Sequence, residues 1–399
     1  MKKFGFLSRH PAFKYLSDSD KYLAGAQEPE IKFNVIGTGM NGREHIRVTL
    51  LEGRATIHGV FDPDPLSIQG AKDAYSQYVP QGSLVIYDSL EEACCDPDVD
   101  GLIICTPNYT HIDVVRQAIK SGKHILLEKP MATTIPDAYE IAQLAQSYDA
   151  VFQIGLQYRY KSFYLEAIYE ALERQSIGDI KTARILKHRF PFLDKVKQWN
   201  KFSKYSGGTL VEKCCHYFDI LNLVAQSKPT SVFATGSMAV NFLDLEYDGE
   251  KSDIIDNAFV TVMYENGVRA SFDLCMFSPV FQEEIILCGD EGRLRAYTYH
   301  DSLAASAPKT HLEVMRGGDK PSRVTSPHYP TFIAEAGHGG ATFFEHVNFV
   351  DNIEGKETDT ATAEEGFWSI VVGVAAEESV KTGNPVAIDE LLERNGIDH

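Results

Sequence analysis

The 399-residue chain is short of positive charge, since 38 lysines and arginines stand against 56 aspartates and glutamates, for a formal charge of −18. A nucleic-acid-binding protein needs a basic face to neutralise phosphates, and the sequence has no Lys/Arg-rich stretch. It also has no run of about 18 apolar residues, so no transmembrane helix is expected. These shortages argue against nucleic-acid and membrane partners, and the acidic balance favours a soluble globular protein.

The cysteines do not form a disulfide pattern. There are seven, an odd number, with two adjacent pairs at 94–95 and 214–215 and no Cys-x-x-Cys spacing. This usage indicates a reducing compartment. The N-terminus has scattered charges and no apolar stretch of about 7–15 residues of the kind found in signal peptides. We therefore expect a cytoplasmic protein.

The first half of the chain alternates between apolar runs and amphipathic stretches. The runs lie at 32–36, 56–61, 84–87, 101–105, 123–127 and 151–155, and the amphipathic stretches at 41–52, 66–79, 109–121 and 134–148. Strands that alternate with helices are typical of βαβ units in a parallel sheet. The pattern predicts one doubly wound α/β domain over residues 31–155. Residues 1–30, with scattered aromatics, are either a frayed tail or an arm docked on this chain or on a neighbouring subunit.

After residue 156 the pattern changes to runs of β-branched and aromatic residues joined by short turns. They lie at 180–190, 231–240, 258–264, 269–274, 282–288 and 292–299, with helical stretches at 163–175, 211–225, 341–354 and 361–382 and a long loop at 300–335. Successive strands with short turns predict a large, mostly antiparallel sheet. Residues 156–399 are therefore expected to form a second, α+β domain.

A glycine-rich turn lies between the first predicted strand and a helix, and consists of Gly37, Thr38, Gly39, Met40, Asn41 and Gly42. Glycines there allow a tight turn and a close approach of the backbone to a pyrophosphate, which faces the helix N-terminus. Asp62 ends the second predicted strand, where a carboxylate accepts hydrogen bonds from both ribose hydroxyls and repels a 2′-phosphate. The pattern predicts a dinucleotide site that prefers NAD to NADP. The alternative is a structural glycine turn with a capping aspartate.

Two further motifs end later strands of the same predicted sheet. Thr106 and Asn108 flank a proline after the fourth strand, where they can contact the cofactor or simply form a capped turn. Glu128-Lys129-Pro130 follows the fifth strand. A lysine there can hydrogen-bond a substrate hydroxyl and stabilise the alkoxide that develops as hydride leaves. The alternative is a solvated surface lysine.

Residues 207–219 are predicted to lead into a helix that places Glu212 and His216 on one face, with Asp219 on the same side. His216 can then act as a general base near neutral pH, oriented by a neighbouring carboxylate. Two alternatives are an ordinary buried histidine and a metal site built from Glu212, Cys215 and His216. The metal alternative has no second ligand cluster at usual zinc spacing, so no metal is expected.

Taken in order, these motifs resemble the Gfo/Idh/MocA family, which includes glucose–fructose oxidoreductase and inositol dehydrogenases. The resemblance covers about residues 31–390 and rests on residues 37–42, on Thr106, Pro107, Asn108 and His111, on Glu128-Lys129-Pro130, on Gln157-Tyr158-Arg159 and on residues 207–219. It implies an N-terminal Rossmann domain followed by an α/β domain whose open sheet often mediates dimers, tetramers or higher oligomers. It also implies oxidation of a substrate with Lys129 and His216 in the site.

Further site residues follow from the resemblance. The additional cofactor contacts are His111, Glu128, Lys129 and Gln157, and the candidate substrate contacts are Lys129, Arg159, Trp199, Glu212, His216 and His338. Trp199 can stack on a sugar ring, and His338 lies in a glycine-rich turn that is alternatively a simple helix entry. Many members have aspartate where this chain has Glu212, whose longer side chain shifts the carboxylate.

We therefore expect an NAD-dependent dehydrogenase that oxidises a secondary hydroxyl of a cyclic polyol, namely a sugar, glycoside or inositol. One alternative is a family member with tightly bound NAD that cleaves a glycosidic bond through transient oxidation, without net accumulation of NADH. Another is a non-enzymatic sugar- or NAD-sensing regulator on the same fold, against which the presence of both Lys129 and His216 argues.

The role assigned to Asp62 gives a prediction about cofactor choice. The chain should bind NAD more tightly than NADP, because the carboxylate repels the 2′-phosphate. Asp62→Ser combined with a nearby arginine should shift the preference toward NADP. Fluorescence titration with both cofactors measures the two affinities, and tighter binding of NADP to the unaltered chain would contradict the prediction.

Overall fold

The computed structural model describes residues 29–191, 194–301, 308–318 and 320–397. In chain order the strands are β1 (Ile31–Ile36), β2 (Ala55–Phe61), β3 (Val85–Ile86), β4 (Gly101–Ile104), β5 (His124–Glu128), β6 (Phe152–Gly155), β7 (Ile180–His188), β8 (Pro229–Ser237), β9 (Glu246–Tyr247), β10 (Glu250–Lys251), β11 (Asn257–Tyr264), β12 (Arg269–Cys275), β13 (Val280–Gly289), β14 (Gly292–Asp301), β15 (Lys309–Arg316), β16 (Arg323–Thr325) and β17 (Val386–Ala387). The α-helices are α1 (Met40–Glu52), α2 (Pro65–Ser76), α3 (Leu90–Cys95), α4 (His111–Ala118), α5 (Ile135–Gln146), α6 (Ser162–Ile168), α7 (Ser203–Ser206), α8 (Thr209–Glu212), α9 (Cys215–Ala225), α10 (Thr331–Ala334), α11 (Ala341–Ile353), α12 (Ala363–Thr382) and α13 (Ile388–Arg394).

The chain divides into two compact units. Unit 1 comprises residues 1–131, 140–157 and 329–363, and unit 2 comprises residues 132–139, 158–328 and 364–399. The predicted N-terminal arm over 1–30 lies almost wholly outside the described residues, and the predicted domain boundary at residue 155 stays a prediction. Within the described ranges, no helix combines the length and the apolar character needed to cross a bilayer.

Unit 1 is built on a parallel sheet with the strand order β3-β2-β1-β4-β5-β6. Helices cover its faces, so β4 is buried along its whole length and reads as a continuous apolar run. Helix α11 packs on α1, and the rings of Phe33 and Phe349 lie 5.3 Å apart. The strand order reverses between β1 and β4, and ligands bind at such a point, outside the carboxyl ends of the strands. The prediction of a doubly wound parallel sheet is confirmed.

Unit 2 contains a sheet with the order β16-β15-β14-β13-β7-β12-β11-β8-β17 in the part of the chain that is described. Neighbouring strands are antiparallel except β7 and β12, which run parallel. Every second residue of β11 is buried, which is the pattern of a sheet covered on one face. Helix α9 packs on β7, and its Phe218 ring lies 5.6 Å from the ring of Phe272. The prediction of a large, mostly antiparallel sheet is confirmed.

Two local predictions were wrong. The expected loop over 300–335 contains strands β15 and β16, which extend the sheet by pairing with β14 and with each other. Leu312 and Val314 are buried in β15, but this short alternation is flanked by segments rich in proline, serine and histidine. The helix expected over 211–225 is interrupted, because the chain turns at Lys213 and Cys214 before α9 begins.

Candidate active site

The glycine turn of unit 1 is packed tightly at two of its glycines and open at the third. A Cβ at Gly37, where φ is +88°, would lie 2.7 Å from the amide nitrogen of Thr106, and one at Gly42 would lie 2.1 Å from the carbonyl oxygen of Gly37. At Gly39, the residue that precedes α1, no described atom lies within 4 Å of the same position. The backbone is therefore accessible where a pyrophosphate would approach the N-terminus of α1.

Asp62 fastens this turn to the end of β2. One of its carboxylate oxygens accepts hydrogen bonds from the amide of Thr38 at 2.7 Å and from the Thr38 hydroxyl at 3.1 Å. The other accepts from the amide of Asp64 at 2.9 Å. Each carboxylate oxygen can accept more than one hydrogen bond. Asp62 can therefore also accept the predicted hydrogen bonds from the ribose hydroxyls.

Two buried amides near the same edge of the sheet have unmet hydrogen-bonding capacity. Asn108 follows β4 and Gln157 follows β6, and the two residues are 4% and 0% exposed. Neither Nδ2 of Asn108 nor either amide atom of Gln157 has a partner among the described residues. Buried amides are normally hydrogen-bonded, so these groups fit a bound cofactor, as the sequence predicted for both residues.

His111 links two of the predicted motifs. Its Nδ1 lies 2.9 Å from the carbonyl oxygen of Pro130, and its Nε2 lies 3.0 Å from that of Thr106. Burial lowers the pKa of His111, although both carbonyl contacts favour the charged form. With both ring nitrogens at backbone carbonyls, we infer that His111 positions the two turns.

Lys129 follows β5 directly and is 7% exposed, and its peptide bond to Pro130 is cis. The neighbouring Glu128 carboxylate lies 2.9 Å from Nε2 of His45 and accepts a hydrogen bond of 2.9 Å from the amide of Lys129. Burial would raise the pKa of Glu128, but the hydrogen bond from His45 and the positive charge of Lys129 act in the opposite direction, and the pKa is lowered to about 2. An ionised carboxylate therefore anchors the strand end that carries Lys129.

His338 lies in a glycine-rich turn before α11, as predicted, and is held by a carboxylate of α1. Its Nδ1 lies 2.7 Å from Glu44, which also accepts a hydrogen bond of 2.6 Å from the Thr342 hydroxyl. Burial would raise the pKa of Glu44, but His338 and the hydrogen bonds lower it overall. His338, a predicted substrate contact, therefore already uses its Nδ1 in a hydrogen bond with Glu44.

In unit 2, His216 is held flat against an aromatic ring. It is 3% exposed, and its ring stacks on that of Tyr158 with centroids 3.8 Å apart and an interplanar angle of 1°. The Nζ of Lys161 lies 3.4 Å from the centroid of the same tyrosine ring. This stack fixes the plane of the imidazole, and neither the tyrosine nor the lysine was given this role by the sequence analysis.

A buried carboxylate anchors that stack. Glu283 accepts hydrogen bonds from Lys161 at 2.6 and 2.8 Å, from Lys187 at 2.5 Å and from the Tyr217 hydroxyl at 2.9 Å. Burial would raise the pKa of Glu283, but the two ammonium groups outweigh it and lower that pKa to about 2. The sequence signal that could have revealed the cluster is the place of Lys187 in the alternation of β7, where it follows Ala183 and Ile185 at every second residue on the buried face.

Glu212 is a buried carboxylate between two lysines. It is 1% exposed and lies 3.2 Å from the ammonium groups of both Lys195 and Lys213. The ammonium of Lys195 also lies 4.5 Å from the centroid of the Trp199 ring. Lys195 therefore connects two of the predicted substrate contacts, Glu212 and Trp199.

Arg159, another predicted substrate contact, is paired with Asp219. Its guanidinium makes two hydrogen bonds to the Asp219 carboxylate, at 2.5 and 2.7 Å, one to each oxygen. It also contacts Glu365 at 3.1 Å. The carboxylate of Asp219, which the sequence places on the same side as His216, is thus engaged by an arginine.

A carboxylate of α12 is hydrogen-bonded to the segment that leads to Glu212. Glu377 accepts a hydrogen bond of 2.8 Å from the amide of Leu210, and a Cβ at Gly208 would lie 2.3 Å from it. Burial, the largest influence, raises the pKa of Glu377 to about 7. The position therefore tolerates a protonated carboxyl better than a charged one.

Comparison with known proteins places both halves of the chain in one family. Residues 31–156 match the model of an oxidoreductase family's NAD-binding Rossmann fold, and residues 169–388 match the C-terminal alpha/beta domain of that family. The chain is 23% identical over 363 residues to myo-inositol 2-dehydrogenase of Thermotoga maritima, covering 91% of this chain and 100% of that protein. It is 24% identical over 369 residues to scyllo-inositol 2-dehydrogenase (NAD(+)) of Bacillus subtilis, covering 91% and 97%. The WlbA dehydrogenase from Bordetella pertussis, solved with NADH and UDP-GlcNAcA, shares the fold with a TM-score of 0.68 at 17% identity, covering 90% and 98%.

The raised pKa of Glu377 predicts that the free energy of unfolding falls as the pH rises, and that Glu377→Gln abolishes this fall. Between an unfolded value of 4.5 and a folded value of about 7, only the unfolded chain ionises, so stability falls as pH rises through this window. Glu377→Gln should therefore melt at the same temperature as the native chain near pH 4.5 and at a higher temperature above pH 7. The difference in unfolding free energy should reach up to about 3 kcal/mol. Glu364→Gln, at an exposed position of α12, is the control. A stability difference independent of pH would contradict the prediction.

Proposed function

The chain belongs to the Gfo/Idh/MocA oxidoreductase family, and from this premise we propose that it oxidises a secondary hydroxyl of a cyclic polyol, namely a sugar, glycoside or inositol. It is an oxidoreductase acting on CH–OH groups, and its cofactor is NAD. The substrate class is supported by the inositol dehydrogenases among its relatives, which include the two described above. The observation that carries the proposal is the buried Lys129 at the end of β5, on the sheet whose carboxyl edge presents the glycine turn and the two unmet amides.

The cofactor would be held by residues already described in unit 1. The backbone at Gly39 and the N-terminus of α1 would bind the pyrophosphate, and Asp62 would accept from the ribose hydroxyls. Asn108 and Gln157 would use their unmet amide groups. NAD, when bound, supplies the acceptor for the hydride.

The protein's own part in the reaction is to hold the hydroxyl and to take its proton. In the proposed roles, Lys129 donates a hydrogen bond to the reacting oxygen and its charge stabilises the developing alkoxide. His216 accepts the hydroxyl proton as general base, while the carbon-bound hydrogen leaves as hydride. Tyr158 and Lys161 keep the imidazole plane fixed, which preserves the direction in which the proton is accepted. Side chains that hydrogen-bond other hydroxyls of the polyol would set specificity.

We also propose self-association, as a dimer, tetramer or higher oligomer, through the uncovered face of the sheet in unit 2. Adjacent strands β8 and β11 present Phe233, Phe259 and Met263, which are 40%, 66% and 41% exposed. Apolar side chains grouped on one face mark a surface suited to a partner. A cytoplasmic location is proposed from the cysteine usage alone.

The proposed reaction predicts release of NADH and dependence on Lys129. In a panel of inositols, aldoses and glycosides with NAD, one class should give stoichiometric NADH, followed by its absorbance. Lys129→Ala should lower kcat on that substrate by about 10²-fold or more and leave NAD affinity little changed, because an electrostatic group is lost at the reacting oxygen. Lys120→Ala, at an exposed position of unit 1, serves as the control. Turnover without accumulation of NADH would favour glycosidic cleavage through transient oxidation, and near-native kcat in Lys129→Ala would remove the lysine from the mechanism.

The role of His216 predicts the pH dependence of oxidation. The base must be unprotonated, so kcat/KM should rise with pH through a limb that reports loss of the proton from His216. His216→Asn should lose that limb and lower turnover while the protein stays folded. His328→Asn, which changes an exposed histidine of unit 2, should keep both. If His216→Asn retained the native rate and limb, another group would have to be the base.

A further inference from the structure

Unit 1 contains a buried cluster that the proposed reaction does not use. His45 of α1 and the adjacent residues Glu345 and His346 of α11 each offer one possible ligand atom, and these atoms lie within 4.8 Å of one another. All three residues are at most 1% exposed. The cluster connects two helices whose sequences are separated by about 300 residues.

The surrounding hydrogen bonds determine which ring nitrogens carry lone pairs. Nε2 of His45 lies 2.9 Å from the Glu128 carboxylate, so that nitrogen donates. The Thr49 hydroxyl donates to the carbonyl of His45 at 2.8 Å, so its oxygen accepts from Nδ1 of His346 at 3.2 Å. In the neutral rings this leaves lone pairs on Nδ1 of His45 and Nε2 of His346, which face each other at 2.8 Å.

The third member of the cluster is a carboxylate without a hydrogen bond. Both oxygens of Glu345 are buried and have no partner among the described residues. A buried carboxylate is costly unless a charge or hydrogen bonds compensate it. A proton between the two imidazoles would satisfy the nitrogens, and a proton on Glu345 would remove its charge, but neither gives the carboxyl group a hydrogen-bond partner within the described ranges. A divalent cation would accept electron pairs from all three groups at once.

We propose that His45 Nδ1, His346 Nε2 and the Glu345 carboxylate bind a divalent cation of the zinc class. Two histidines and one carboxylate are a ligand set that zinc uses, and imidazole also suits cobalt and nickel. Glu128 and Thr49 engage the opposite ring nitrogens, as the outer partners of metal-binding histidines do. Bonds of about 2.0–2.1 Å to each nitrogen require the two rings to separate by about half an ångström.

This centre differs from the Glu212, Cys215 and His216 alternative that the sequence analysis set aside. Its ligands come from positions 45, 345 and 346, so no local spacing in the sequence signals it. Because α1 starts at the glycine turn, a cation here would brace the cofactor-binding helix against α11. The proposed role is structural and adds no step to the oxidation.

The test combines metal content with thermal unfolding of the full chain. Protein produced with added zinc and then dialysed should retain about one zinc per chain by mass spectrometry, and Co²⁺ in its place should give a visible absorption spectrum. Glu345→Gln should weaken zinc binding at least about tenfold. His58→Asn is the matched control, because His58, Asp96 and Asp98 form a more exposed cluster that could collect metal adventitiously.

The native chain and Glu345→Gln should respond differently to the metal. In chelator the two should melt at similar temperatures, because an uncharged carboxyl and an amide of the same size face the same surroundings without a hydrogen-bond partner in the described part of the chain. With zinc, the native chain should gain stability and Glu345→Gln should not. Absence of retained metal together with no zinc-induced rise in melting temperature would overturn the proposal. So would an equal zinc response in Glu345→Gln, or loss of the metal in His58→Asn.

Discussion

The hydrogen bond between His45 and Glu128 is the contact on which the arrangement of unit 1 most depends. It joins α1, which begins at the glycine turn, to the end of β5, which carries Lys129. Both side chains are buried, and a hydrogen bond to an ionised group is stronger in such surroundings than in water. This hydrogen bond therefore fixes the distance between the start of α1, where the cofactor would bind, and Lys129 at the end of β5. Asp62 and His111 add ties on either side of it.

In unit 2, a buried cluster of one carboxylate and two lysines holds the residues around His216 in place. Glu283 lies between two lysines, and the aromatic rings of Tyr158 and Phe281 receive the ammonium groups at 3.4 and 3.3 Å. One carboxylate does not neutralise two ammoniums, so the ring faces supply the remaining stabilisation. Removing one partner of such a buried set costs far more than replacing the whole set by apolar groups. The result is a histidine ring whose plane is fixed by groups outside the reaction.

The features that could be predicted from the sequence are the periodic patterns of strands and helices and the motifs formed by a few neighbouring residues. Alternating strands and helices gave the parallel sheet, short turns gave the antiparallel one, and the glycine turn with Asp62 appeared as expected. Strand β15 was not predicted because its apolar and polar residues alternate over only a short stretch. The long-range side-chain pairs were not predicted for another reason: Arg159 and Asp219 are 60 residues apart, and His45 and His346 are 301 apart. Only tertiary packing decides such partners, so no window of sequence contains the signal.

Helix α11 also affects the order in which the protein can fold during synthesis. Its Phe349 and Val350 belong to the same core as Phe33 and Ile46, and Arg54 near the end of α1 contacts Asp351. Arg54 and Asp351 are 297 residues apart, so all of that intervening chain must be made before the flank of α1 is covered. Closing so long a loop slows folding more than it lowers final stability. Until then the part of this core on β1 and α1 lacks its cover, and apolar surface exposed in this way is prone to aggregation.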